Sequence, residues 1–165
     1  MNELHTKINS AIYEPYGFEL TNYLIEEESQ EYGACRFEIN GLIVVSRNAK
    51  ITPTKIGQFV TIWKRTEDGP IAPFDYADPI DLIIINVQKG DELGQFVFPK
   101  SVLCQKGIFS TTAKEGKRGI RVYPSWDEPK SKQACATQHW QLQYFLTVDE
   151  SGSTDQTLVT KLYAS

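Results

Sequence analysis

The sequence predicts a single domain of mixed α and β structure, and three observations carry that reading. An Asn40-Gly41 dipeptide separates two strand-like runs, which marks an antiparallel hairpin. The run Asp81–Val87 is apolar almost throughout, as a strand buried on both faces must be. Helix-spaced apolar residues follow start signals such as Thr52-Pro53. At 165 residues the chain has the length of one domain, which buries roughly 68–70% of its unfolded surface, so folding requires neither metal nor disulfide.

Taken in order, Asn2 or Thr6 caps a short helix that ends before Pro15 and Gly17, with Leu4, Ile8, Ala11 and Ile12 on one apolar face. Tyr23–Glu26 reads as a strand. The hairpin follows: Cys35, Phe37 and Ile39 alternate with Arg36 and Glu38, and Leu42–Ser46 returns after the turn. Thr52–Arg65 reads as a helix, because Ile56, Phe59, Val60 and Trp63 fall at i, i+3, i+4 and i+7. Trp63 belongs to that buried stripe, and Lys64 and Arg65 complement the dipole at its end. Gly69–Pro79 is a proline-constrained loop, and Gln95–Phe98 is the neighbour of the apolar strand. Pro99–Gln105 is a brief helix opened by proline and closed before Gly107. Residues 108–119 form a basic glycine-containing loop, Ile120–Tyr123 a short strand, and Lys130–Phe145 a last helix. Residues 1–148 thus make one domain, and 149–165 a polar, loosely held tail.

The longest apolar runs, Leu42–Val45 and Leu82–Ile85, fall far short of the ~18 residues that span a bilayer. Glu3 and Lys7 stand where a signal peptide needs an apolar core. Three cysteines, Cys35, Cys104 and Cys135, lack metal-binding or disulfide-framework spacing, so a reducing cytoplasm is expected, with no membrane insertion. The net charge of −4 conceals a blocked distribution. Residues 41–66 hold five basic and no acidic residues, and 99–132 hold eight basic and three acidic. If the fold brings these blocks together they form one cationic surface on an acidic protein; otherwise they are solvated or paired surface.

No phosphate-loop, dinucleotide or hydrolase-elbow motif is present. His5 and His139 stand apart from any second ligand, which favours a surface or partly packed imidazole over a metal site and gives no reason to expect a cofactor. A magnesium-dependent phosphodiester site needs converging carboxylates and a lysine; Glu38, Asp75, Asp78, Asp81 and Lys100 are the candidates. The strand that follows Asp81 lacks an acidic residue two positions before a lysine, so the usual nuclease pattern is not met.

The segments Arg47–Arg65 and Arg121–Asp127, with Thr137–Trp140 beyond, resemble the MepB-like protein family over about residues 10–146. The resemblance implies a restriction-endonuclease-like α/β core, a mixed central sheet flanked by helices, used both by nucleases and by proteins that bind nucleic acid without cutting it. Both segments mix positive charge with aromatic rings. Arg47, Lys50, Lys55 and Lys114 are candidate phosphate contacts, as are Lys117, Arg118 and Arg121, with Trp126 as a candidate stacking ring. The expected function is non-catalytic binding of DNA or RNA. A degenerate metal-dependent nuclease and a protein-interaction module are the alternatives.

Overall fold

The computed structural model describes residues 2–164. Asn2 caps helix α1 (Glu3–Ile8), its side chain accepting from the His5 amide at 2.8 Å. The chain continues as a π-turn over Asn9–Tyr13 and leaves the helix before Pro15. Strand β1 (Leu20–Ile25) precedes the hairpin of β2 (Cys35–Ile39) and β3 (Leu42–Asn48). Asn40 and Gly41 take φ of 52° and 80°, the two left-handed residues that a tight hairpin turn matching strand twist demands. Short strands β4 (Lys50–Ile51), β5 (Gln58–Thr61), β6 (Trp63–Arg65) and β7 (Ile71–Pro73) come next. The long pair β8 (Leu82–Lys89) and β9 (Glu92–Pro99) leads through Pro99 into helix α2 (Lys100–Gln105). Strand β10 (Gly119–Val122), helix α3 (Lys132–Gln141), strand β11 (Phe145–Thr147) and helix α4 (Gln156–Leu162) complete the chain.

The central sheet has six strands in the order β1-β2-β3-β8-β9-β11. It is mixed: β3 and β8 run parallel, and every other neighbouring pair is antiparallel. Strand β8 is buried on both faces, as its composition requires. Leu82 and Ile84 pack with Ile12, Tyr13, Val159 and Leu162 in one apolar layer. Ile83, Ile85 and Val87 pack with Val60, Ile62, Ile120 and Val122 in the other. Helices α1 and α4 therefore cover one face, while the small strands cover the second.

Thr52–Arg65 is not a helix. Residues 52–57 are irregular, and β5 and β6 occupy the remainder. The four apolar residues that suggested a period of 3.6 overlie a period of two, in which Gln58, Val60 and Ile62 are buried and Phe59, Thr61 and Trp63 are less so. The β-branched run Val60-Thr61-Ile62 suits a strand, and pairing with β10 provides the ladder it needs. Trp63 consequently lies half-buried opposite Pro73 rather than in a core stripe.

The tail is also more ordered than its polarity suggests. Asp155 caps α4 by accepting from the Leu158 amide at 3.2 Å, and Val159, Leu162 and Tyr163 enter the first apolar layer. Only three apolar side chains are needed to dock one helical face, too few to stand out in the sequence. Leu162→Ala should therefore destabilise the fold by about 2–4 kcal/mol in urea melts; no change would mean that α4 is not docked.

His5 is buried among Tyr13, Tyr23 and Phe37, with ring centroids 5.4 to 6.0 Å away, rather than at the surface. Burial pulls its pKa down to about 4. The folded value lies below the unfolded value of ~6.5, so the unfolded chain binds the proton first and stability falls as pH drops from ~6.5 towards 4. The loss should reach about 3 kcal/mol. Urea melts across that window should show it for the native protein and show a flatter dependence for His5→Phe.

Candidate functional site

Strands β10, β5 and β4 form a separate three-stranded sheet in that order. Alternation divides its faces: Val60, Ile120 and Val122 point into the second apolar layer. On the opposite face Lys50, Phe59 and Arg121 stand in one cross-strand row, since Phe59 is the register partner of both. Two glycines let aromatic rings lie close to this face. A Cβ on Gly57, whose φ is +88°, would come within 2.7 Å of the Tyr123 ring, and one on Gly119 within 2.6 Å of the Phe59 ring.

Helix α3 faces this sheet across a cleft of about 720 Å³. Ser131 caps the helix, accepting from the Ala134 amide at 3.1 Å. Two glutamines tie helix to strand. Gln141 accepts from the Tyr123 amide at 2.9 Å and donates to the Arg121 carbonyl at 3.1 Å, taking the place of a neighbouring strand along the free edge of β10. Gln138 donates to the Pro124 and Asp127 carbonyls at 3.0 and 2.8 Å. The two walls are thereby held at a set spacing.

The cleft is lined by Lys55, Lys106, Lys117, Arg121 and Lys130, and by no aspartate or glutamate among the described residues. None of these five cations makes an ion pair with a described residue. The Arg121 guanidinium is instead steadied by neutral oxygens, Thr52 Oγ1 at 3.0 Å and the Ile56 carbonyl at 3.3 Å. Trp140 is half-buried at the cleft wall, packed on Phe98 at 5.4 Å with the Lys106 ammonium 5.5 Å from its ring centroid.

Lys55, Lys117 and Arg121, singled out by sequence, thus come together from both basic blocks. Lys50 extends the row to the cleft's edge, its ammonium 4.7 Å from the Tyr32 ring centroid. Lys114 is exposed beside Gly107 and is not part of the lining, and Arg118 pairs with Glu115 at 3.1 Å. Arg47 departs from its expected role: it is fully buried, held by Glu26 at 3.2 Å and by the Ser46 carbonyl at 3.0 Å. Its place on β3, beside Ile85 in the middle of the sheet, puts it out of reach of a phosphate. Trp126 is half-buried with its ring edge-on to Phe145 at 5.9 Å and its indole nitrogen buried, so it packs rather than offering a face. Lys106, Lys130, Phe59, Tyr123 and Trp140 were not selected as site residues. Lys106, Tyr123 and Lys130 fall in the positively balanced block 99–132, whereas Phe59 belongs to the stripe expected to be helical and Trp140 to the segment beyond that block.

The carboxylates of the nuclease alternative do not converge. Asp81 accepts from the Ile43 amide at 2.7 Å, Asp78 binds Lys64 at 2.8 Å, and Glu38 accepts from Asn22. Asp75 accepts from the Ala77 amide at 2.9 Å, and Lys100 donates to the Tyr76 and Asp78 carbonyls. Among the described residues no group of three or more His, Cys, Asp or Glu is placed to hold a metal. No described helix is long and apolar enough to cross a membrane.

Fold and site together define a mixed α/β domain with a cationic cleft and, among the described residues, no group of acidic, histidine or cysteine side chains placed to hold a metal. The chain belongs to the MepB-like family, whose model matches residues 26–147. A crystal structure of MepB is similar at 34% identity and a TM-score of 0.77, covering 89% of this chain and 97% of that one. A bacterial homing endonuclease is similar at 13% identity and a TM-score of 0.47, covering 85% of this chain and 89% of its own. No curated protein matches the chain.

Removing the Arg47 side chain would leave Glu26 without its buried partner. Arg47→Ala should cost about 3 kcal/mol or more, and Lys117→Ala less than ~0.5 kcal/mol, in parallel chemical denaturation; equal costs would contradict the buried placement of Arg47.

Proposed function

We propose that the protein binds nucleic acid through this cleft without cleaving it. The observation that carries the reading is the set of five cations, drawn from two distant segments, with no carboxylate among them on a chain of net charge −4. Like charges held together without counterions repel one another, and a polyanion relieves that cost while releasing its own condensed ions. The rings on the same walls add surfaces on which bases stack. Cleavage has less support, because among the described residues no three acidic, histidine or cysteine side chains are placed to hold a metal. The reading calls for no cofactor, and it fits a protein of the cytoplasm, where nucleic acid is at hand.

Fluorescence anisotropy with a labelled oligonucleotide carrying a hairpin and a single-stranded tail tests this. Log affinity should fall linearly with log salt, and substituting Lys55, Lys117 and Arg121 together by alanine should reduce the slope by about two to three. Substituting Lys161, which lies on α4 against the other face of the central sheet, should change affinity by less than about twofold. Absence of binding at ~50 mM salt, where phosphate contacts are strongest, would sink the proposal. Nicking of the oligonucleotide in magnesium would restore the nuclease alternative.

A further inference from the structure

Building on the reading of the cleft as a nucleic-acid site, we infer that its ligand is a single-stranded segment whose unstacked bases lie against Trp140 and Tyr123. Three features of the cleft point there. The first is concavity: the rings sit on the walls of an open cleft formed by β10, β5 and α3, not on a protruding surface. A duplex offers its bases only as edges on the floor of its grooves, which are read by an element that projects into them. Here no helix or ribbon projects; the protein is the concave partner, and only a base that has left the stack can reach a recessed ring.

The second feature is size. About 720 Å³ is the volume that encloses a ligand of drug-like dimensions, comparable to one or two nucleotides and far too small for a double helix. The third is the arrangement of charge around the rings. Lys55, Lys117 and Arg121 lie on the sheet side and Lys130 precedes the cap of the helix on the other, so a backbone threading the cleft meets cations on both walls while its bases meet Tyr123 and Trp140. The Lys106 ammonium lies over the Trp140 ring, 5.5 Å from its centroid, so a base that stacks there displaces it and leaves it to meet a phosphate. Recognition by ring faces tolerates any base, so binding should depend weakly on sequence.

The test compares a twelve-nucleotide single strand with the duplex of the same sequence, by anisotropy and by tryptophan fluorescence at ~50 mM salt. The single strand should bind at least about tenfold more tightly and quench tryptophan emission. Trp140→Leu, which keeps an apolar side chain against Phe98, should weaken single-strand binding roughly tenfold, leave the salt slope unchanged and abolish most of the quenching. Tyr123→Leu should also weaken binding with an unchanged slope, and serves if Trp140→Leu fails to fold by circular dichroism. Lys117→Ala should show the reverse pattern, a smaller slope. Equal or tighter binding of the duplex, or unchanged affinity in the folded leucine variants, would overturn the single-strand inference while leaving the cleft as a nucleic-acid site. Binding of neither oligonucleotide would instead defeat the underlying proposal.

Discussion

Asn48, Asn86 and Gln95 stand side by side on β3, β8 and β9, inside a largely apolar layer. Asn86 donates to Asn48 at 3.0 Å and accepts from Gln95 at 3.0 Å; Gln95 also meets the hydroxyls of Tyr13 and Tyr163. Asn48 in turn donates to Asn2, the cap of α1, at 2.9 Å. A buried amide without partners costs a large part of a domain's stability, so each member requires the next. A slip of one residue between β3 and β8 would turn Asn48 or Asn86 to the opposite layer and strand the remainder. The network thus selects the parallel register at the centre of the sheet, and it gathers both ends of the chain onto one face. Burial also raises the pKa of Tyr13 and Tyr163, which keeps both phenols neutral; Tyr163 donates to Gln95, and Tyr13 accepts from it.

The opposite face of the same strands supports the cleft. Once β3 and β8 are in register, Val45, Ile83 and Ile85 present an apolar floor, and the inward residues of β5 and β10 bury themselves against it. Their outward residues then necessarily face the other way, which places Phe59 and Arg121 on the cleft wall. Arg47 belongs to this scaffold: its charge is compensated by Glu26, which also meets Arg36 at 3.3 Å. Arg47, Lys64, Arg65 and Arg118 have carboxylate partners, whereas the lysines and arginine of the cleft have none. Lys114, Lys132 and Lys161 also make no ion pair with a described residue, so what distinguishes the site from ordinary solvated surface is that five unpaired cations are gathered in one cleft.

Much of the framework was legible in the residues alone because the signals were local. Asn40-Gly41 specifies its own turn, Pro99 can begin a helix but not continue one, and a run such as Leu82–Ile85 has no polar face to show to water. The second basic block and its glycines marked the neighbourhood of the site for the same reason: charge and flexibility are properties of the segment itself. The helix expected over Thr52–Arg65 failed because Ile56, Phe59, Val60 and Trp63 satisfy two periodicities, and only the partner strand β10 chooses between them. Helix α4 was obscured because three buried side chains among polar neighbours carry little periodic signal.

By itself, then, the sequence determined the mixed α/β class, the hairpin, the doubly buried strand and the presence of two cationic segments. Tertiary structure alone decided which charges meet. Arg47 and Lys55 lie eight positions apart in one basic block, yet one is sealed against Glu26 and the other lines the cleft, because strand pairing turns Arg47 inward on β3 whereas Lys55 stands in the irregular segment 52–57 beside β5. Lys130 and Trp140 joined the site only when Gln138 and Gln141 fastened α3 to β10 and the segment after it. Such contacts span the folded molecule, and their energy depends on distances through space that separation along the chain does not encode.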